Sequence, residues 1–360
     1  MQWHLDVMQA EEMWQTSTGK GITVAVIDSG VGHVPELDGQ VLRGKDLAVG
    51  VKGDERTDYG GHGSGIASVI AGTGRSAGAD GAFGLAPGVK ILPIRVPHEM
   101  RDDKTYPSHS EAIRFAADSD ARVINISLGL AYADPAIAEA VKYAVSKNKL
   151  IFASVGNTGF GRNLPEYPGA TPGVVGVAAI GRDAKATDES QHGPQVDLAA
   201  PGEDIVHACI KATGLCKSHG TSDATALASA SAALIWAAHP TWTNNQVLRV
   251  MLNTAGKPRD GVKRNDYIGY GVVRPRVALT DPGDPGPADV YPLPDLAAAQ
   301  KPASGSPDPA PSGTPPAVAG PGVIDDGSGG NEPYLALGVG AAVLIAGGVT
   351  VLTVRARRRR

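Results

Sequence analysis

Five near-continuous apolar runs recur through the first half of the chain: GITVAVID (Gly21–Asp28), VKILPIRV (Val89–Val96), ARVINISL (Ala121–Leu128), KLIFASVG (Lys149–Gly156) and GVVGVAAI (Gly173–Ile180). None alternates cleanly between apolar and polar positions, as a strand with one wet face would. Such runs are expected of strands buried on both faces, the situation of a parallel sheet. Helical patterns lie between them. SHSEAIRFAADSD opens on Ser108, a suitable cap, and DPAIAEAVKYAVSKN opens on Asp134 with Pro135 at the first helical position. HGTSDATALASASAALIW (His219–Trp236) reads as a helix built mostly from small residues. Strand and helix in repeated alternation predict an α/β fold with a mostly parallel central sheet covered on both faces. The chain has no internal repeat.

The pattern changes after residue 280. Residues 281–333 hold 13 of the 27 prolines, in runs such as DPGDPGPADVYPLP and SPDPAPSGTPP. Such a segment buries too little apolar surface to offset its ordering entropy, so a disordered, partly polyproline linker is expected there. Tyr334–Val354 then forms an uncharged apolar run of the length that spans a bilayer as a helix. The closing RARRRR is a basic flank of the kind that stays cytoplasmic. The expected organisation is a globular domain over 1–280, a linker over 281–333, a transmembrane helix over 334–354 and a cytoplasmic tail over 355–360, with the globular domain outside the cell. Met1 is followed by QWHLDVMQAEEMW, which lacks the basic and apolar regions of an export signal. Either the natural chain starts earlier or the body is tail-anchored in the cytosol, and the former is expected.

Charge narrows the choice of partner. Five of the 33 basic residues lie in the final six positions, so residues 1–333 carry 28 basic against 37 acidic residues. An acidic body argues against nucleic acid as the main partner. Aromatic residues make up only 5% while glycine numbers 47, a composition suited to close packing of helices on a sheet. Cys209 and Cys216 are separated by six residues in HACIKATGLC. They are candidates for a small-loop disulfide in an oxidising compartment, with two free thiols as the alternative. No metal-ligand spacing occurs in the body, and there is no phosphate-binding glycine loop. The NIS triplet at Asn125 falls in an expected buried strand and is discounted as a glycosylation acceptor.

Sites in open parallel sheets form beyond the carboxyl ends of the strands. Asp28 ends VAVID, Asn157 follows FASVG, and Ser127-Leu128-Gly129 ends VINIS. His62 enters one small-residue helix and Ser222 another. Each alone has an ordinary explanation as a turn residue, loop residue or helix cap. Together they supply what acyl transfer by serine requires: a nucleophile, a base, a carboxylate to orient the base, and donors for the developing oxyanion.

The segments VAVIDSGV, GHGSGIASVIAG and HGTSDATALASASAAL, in that order and together with SVGNTG and ISLG, resemble the signatures of the subtilisin-like serine peptidases, or subtilases. The resemblance spans roughly residues 3–280. It implies a three-layer subtilisin-like fold, polypeptide substrates, no cofactor, and Asp28, His62 and Ser222 as catalytic triad. It further implies that the Asn157 side chain and the Ser222 backbone N–H form an oxyanion hole. Ser127, Leu128 and Gly129 would pair with substrate backbone as an added strand. Three positions depart from the family pattern: Ser64 after GHG, Asp223 directly after Ser222, and Ala226-Leu227 where a proline is usual. The charge of Asp223 is expected to raise the pKa of His62. The layout of short lead, Pro-rich linker, single span and basic tail most resembles the mycosins, membrane-anchored peptidases associated with type VII secretion in actinobacteria. That likeness implies a secretion membrane complex as partner. It leaves open a second role, a subtilase-shaped scaffold that braces such a complex with cleavage secondary.

Overall fold

The computed structural model describes residues 2–76, 81–97, 108–210 and 214–300. Its centre is a seven-stranded sheet in the order β2-β3-β1-β4-β5-β6-β7. The strands are β1 (Thr23–Asp28), β2 (Lys45–Asp46), β3 (Lys90–Arg95), β4 (Val123–Ile126), β5 (Leu150–Ser154), β6 (Val175–Ile180) and β7 (Leu198–Pro201). Every pairing in it is parallel. The five apolar runs of the sequence contain β1, β3, β4, β5 and β6. Helices α1 (Trp3–Met8) and α2 (Ala10–Trp14) precede β1. They are followed along the chain by α3 (His62–Ala71), α4 (Ser108–Asp118), α5 (Pro135–Ser146), α6 (Thr221–Ala238), α7 (Asn244–Thr254), α8 (Pro275–Thr280) and α9 (Pro294–Gln300).

Alternate residues of the central strands feed separate cores on the two faces of the sheet. Val24, Val26, Phe152 and Val177 pack with α3, α6 and α7, whereas Ala25, Ile27, Ile124, Ile126 and Ile151 pack with α4 and α5. That double burial is why the strands read as unbroken apolar runs. The expected three-layer α/β fold is the one observed. α6 is the central helix: from Ala224 through Trp236 every residue is buried, and it touches β1, β4, β5, β6 and β7. Its alanines and serines let backbone approach sheet. Trp236, the one aromatic residue of the run, lies near its end and donates its indole N–H to the Trp242 carbonyl at 2.8 Å.

Two local expectations change. Asp134 caps α5 as expected, accepting the Ala136 N–H at 2.8 Å, with Pro135 as the first helical residue. Ser108, by contrast, is the first residue inside α4, and its buried hydroxyl has no hydrogen-bond partner. It is therefore not the cap. The body also continues past residue 280. Leu293 and Leu296 are buried, and Asp295 accepts the Gly173 N–H at 2.8 Å. Arg249 on α7 fans onto the carbonyls of Pro285, Pro287 and Val290. Proline offers a carbonyl but no N–H, so one guanidinium satisfies much of this segment's polar backbone. The expected linker from 281 is thus replaced, through residue 300, by chain docked on the body. The remainder of the linker, the apolar run 334–354 and the tail lie outside the described residues. Among the described residues no helix is long and apolar enough to cross a membrane.

Strands β8 (Ile205–Ala208) and β9 (Leu215–Ser218) form an antiparallel hairpin beside α3. Cys209 and Cys216 are joined across it as a disulfide, with an S–S distance of 2.02 Å. Asn125 is fully buried and its amide bonds Ser127 and Ser229, which is incompatible with a glycosylated surface asparagine.

Candidate active site

β1 has β3 on one side and β4 on the other, so the sheet's connections diverge at its carboxyl end. This is the switch point at which open α/β sheets form sites. Asp28, the last residue of β1, is fully buried there. Its Oδ1 lies 2.7 Å from Nδ1 of His62, the first residue of α3. Oδ1 also accepts the Ser29 N–H at 2.7 Å and the Ser29 hydroxyl at 3.2 Å. α3 can start so close to β1 because residue 63 is glycine. A Cβ there would collide with the Gly30 carbonyl and crowd the Asp28 side chain.

A second buried carboxylate, Asp58, holds this corner. Its Oδ1 accepts from Gly61 N–H (2.8 Å) and the Ser29 hydroxyl (3.0 Å). Its Oδ2 accepts from Ser64 N–H (2.9 Å) and the Ser64 hydroxyl (2.7 Å). The Ser64 hydroxyl in turn accepts the Gly32 N–H at 2.9 Å. Asp58 therefore satisfies N–H groups at the start of α3 from outside the helix and places negative charge at its positive end. Asp58 is not among the residues that the sequence singles out. Its one signal there is a carboxylate a few positions before a helix start.

His62 is half-buried, its side chain 30% exposed. Burial pushes its pKa down, but the Asp28 carboxylate, through charge and hydrogen bond, and the charges of Asp223 and Asp58 outweigh this and raise it to about 9. With Nδ1 tied to Asp28 as donor, Nε2 is the basic nitrogen of the neutral ring.

Ser222 is the second residue of α6, whose N-cap is Gly220. It does not cap the helix. Its hydroxyl donates to the Ser127 carbonyl at 3.0 Å, and the Ser127 hydroxyl donates back to the Ser222 carbonyl at 3.1 Å. Asn157, beyond the end of β5, accepts with Oδ1 from both the N–H (2.9 Å) and the hydroxyl (3.0 Å) of Thr221. That fixes which end of the amide is oxygen and leaves Nδ2 as its donor. Asp223 follows in the same first turn, buried, with Ser218 of β9 donating to it at 2.8 Å. Burial raises the Asp223 pKa against the Ser218 hydrogen bond and the nearby His207, His62 and His219, which lower it.

These groups share one cleft of about 250 Å³. His62, Ser222, Asn157, Ser127, Leu128 and Gly129 all line it, with Asp28 buried behind His62. Of the candidate site residues, all are brought to this place except Cys209 and Cys216, which pin the β8–β9 hairpin leading to α6. The lining residues that the sequence does not single out include two titratable ones. His109 of α4 is buried, and its Nε2 has no hydrogen-bond partner. Glu166 lies against Gly129 and Gly156, with Oε1 accepting from Gln191 Nε2 at 2.8 Å. Among the described residues no three His, Cys, Asp or Glu side chains gather as a metal site.

A serine hydroxyl, an imidazole braced by a buried carboxylate, an amide donor and an open helix N-terminus around one cleft can activate an alcohol and stabilise an oxyanion. Residues 19–271 match the family model described as the subtilase family, Peptidase S8. The chain is 30% identical over 331 residues to mycosin-1 of Mycolicibacterium smegmatis, covering 77% of this chain and 72% of that protein. It is similar to the crystal structure of MycP1 with the N-terminal propeptide removed, with TM-score 0.67 and 29% identity over 79% of this chain and 99% of that one. It is also similar to a chain in the periplasmic assembly of the ESX-5 inner membrane complex, with TM-score 0.69 and 26% identity over 88% and 90%.

Proposed function

The chain belongs to the subtilase family of serine peptidases, and from that premise we propose that it is a membrane-anchored extracellular endopeptidase acting through Asp28, His62 and Ser222. The observation that carries this reading is the 2.7 Å contact between Asp28 and His62 at the mouth of the cleft that Ser222 shares. The Ser222 hydroxyl leaves the Ser127 carbonyl by rotation about its Cα–Cβ bond, a fast motion, and yields its proton to Nε2 of the neutral His62 ring, the form that gains population as pH rises toward about 9. Oγ bonds to the substrate carbonyl carbon, and the resulting oxyanion takes hydrogen bonds from Asn157 Nδ2 and the Ser222 N–H. The imidazolium, stabilised by Asp28, gives the proton to the leaving amine as the C–N bond breaks. Water, deprotonated by the same imidazole, then releases the acyl group. Labelling with a fluorophosphonate tests this: the parent protein is labelled and Ser222→Ala is not. Equal labelling of both would end the assignment.

The 334–354 run serves as the anchor, with the body outside and the arginines in the cytoplasm. The Cys209–Cys216 disulfide fits that orientation, because such bonds persist in oxidising compartments. Protease added to intact cells should then digest the body. Likeness to mycosins and to a chain of a secretion-system assembly supports a place in type VII secretion. The assembly match also favours a second reading, in which the body chiefly braces the membrane complex. Ser222→Ala separates the two: secretion abolished with cleavage supports the enzyme, and secretion preserved supports the brace.

A further inference from the structure

The active cleft is a slot between two walls. One is Ser127–Gly129 beyond β4, and the other runs from Ser154 through Gly156 to Asn157 beyond β5. Ser222 sits where they converge, bonded to Ser127 and adjacent to the Thr221–Asn157 contact. A peptide carbonyl presented to Ser222 therefore drops the side chain of its own residue between the walls. Glu166 lies in that gap. A Cβ at residue 129 would collide with its Oε2 and one at residue 156 with its carboxyl carbon, so the two wall glycines make room for it.

The carboxyl group is aimed. Oε1 is held by the fully buried Gln191, whose Nε2 also donates to Thr158 Oγ1 at 2.8 Å. Oε2 has no hydrogen bond among the described residues. Burial pushes the Glu166 pKa up, the Gln191 hydrogen bond lowers it, and no cation contributes. Of the other titratable groups lining the cleft, His62 is bound to Asp28, and burial holds His109 down against the weaker pull of Asp134. Glu166 is thus the one carboxylate lining the slot among the described residues, and it is half-desolvated with no cationic partner among them.

We propose that Glu166 is a specificity-determining residue that selects substrates with lysine or arginine on the amino side of the cleaved bond. This rests on the peptidase reading above and deepens it. The cationic head group pairs with the carboxylate, and its aliphatic stem runs between Leu128 and the backbone of the opposite wall. A leucine there would leave the carboxylate desolvated and unpaired, and a glutamate would add a like charge.

The test uses peptidyl diphenyl phosphonates that differ only in the residue next to phosphorus, Lys, Leu, Ala or Glu, and measures the rate of Ser222 modification. The parent should react with the Lys probe at least about tenfold faster than with the Leu probe, and most slowly with the Glu probe. Glu166→Gln should reduce the Lys-to-Leu ratio about 10- to 100-fold, the range expected for losing a hydrogen bond to a charged group. The ratio is internal to each protein, so partial misfolding cancels, and the parent ratio alone is decisive if the variant fails to fold. A parent that reacts fastest with the Leu or Ala probe, or a ratio that survives Glu166→Gln, overturns the inference. A generic fluorophosphonate run alongside separates the two layers: if it labels Ser222 while the Lys preference is absent, only the inference falls. If it fails to label, the peptidase reading falls and carries the inference with it.

Discussion

Replacing Asp28 by Asn tests the link between the electrostatics of the proposed triad and the stability of the fold. Asp28 is fully buried and its Oδ1 contacts His62 at 2.7 Å. The folded protein holds the His62 proton to about pH 9, against an ordinary value of 6.5. That difference corresponds to about 3 kcal/mol of preference for the charged ring. The ring is 30% exposed, so solvent screening trims the figure to about 2–3 kcal/mol. The sign follows from which state holds the proton. Below pH 6.5 the ring is charged both folded and unfolded, and the pairing is fully expressed. Between pH 6.5 and 9 the folded protein keeps a proton the unfolded chain has lost, so this contribution shrinks as pH rises and is gone above about 9. In a Ser222→Ala background, which prevents self-digestion, melting temperatures from about pH 6 to 9.5 should show a fall from this group of about 3–5 °C. Asp28→Asn should remove most of that fall while leaving contributions from other groups in place. In the active background the same substitution should lower kcat/KM about 10⁴-fold, because the ring loses its tautomer and its counter-charge. Parallel melting curves in the two proteins, or a loss of activity below about tenfold, would refute this account of His62.

Asp223→Asn removes a negative charge that helps hold the His62 proton. The acid limb of kcat/KM should therefore move to lower pH, and an unchanged pH–rate profile would dismiss Asp223 as a modulator. Asn157→Ala should lower kcat about 10²- to 10³-fold with little change in KM, the signature of a donor that acts only on the transition state. Replacing Cys209 and Cys216 together by serine opens a short loop closed at a sequence separation of 7. It should cost about 2–3 kcal/mol in denaturant unfolding.

The parts of this molecule legible in the sequence are those that a local pattern dictates. β1, β3, β4, β5 and β6 are buried on both faces and announce themselves as apolar runs. β7 is a four-residue strand and β2 has two residues. β9 shows an exposed-to-intermediate alternation over four positions. None of these is long enough to stand out. The docked stretch after residue 280 is hidden because proline content measures how little a segment can bury on its own. It says nothing of a guanidinium waiting on another helix. Ser108 resembles a cap because it stands before a helical pattern, but a serine so placed is one only if the helix begins after it. In the site, Asp28, His62, Ser222 and Asn157 are legible because each stands at a strand end or helix start, where topology concentrates chemistry. Glu166 and Gln191 are not, because their role comes from converging across the cleft rather than from any neighbour in sequence.

Two departures from the family pattern that look arbitrary in the sequence, Ser64 and Asp223, each have a structural role, and the roles differ in kind. Ser64 both donates to Asp58 and accepts from Gly32, so its hydroxyl ties the first turn of α3 to the loop after β1. The matching device at α6 is Thr221, whose N–H and hydroxyl both go to Asn157 while its oxygen takes the Gly156 N–H at 3.3 Å. Each helix is thus moored at its first turn by a side chain from a loop, and the residue presented to the cleft stands close beside the mooring. The oxygen of Asn157 is committed to Thr221, so the same contact that seats Ser222 also orients the amide donor beside it. One interaction therefore orients the proposed oxyanion donor beside the turn that carries the proposed nucleophile. Asp223, by contrast, takes no part in mooring. It is held by Ser218 on the disulfide-bonded hairpin, which places the charge nearest in sequence to Ser222 under the control of an element outside the central sheet.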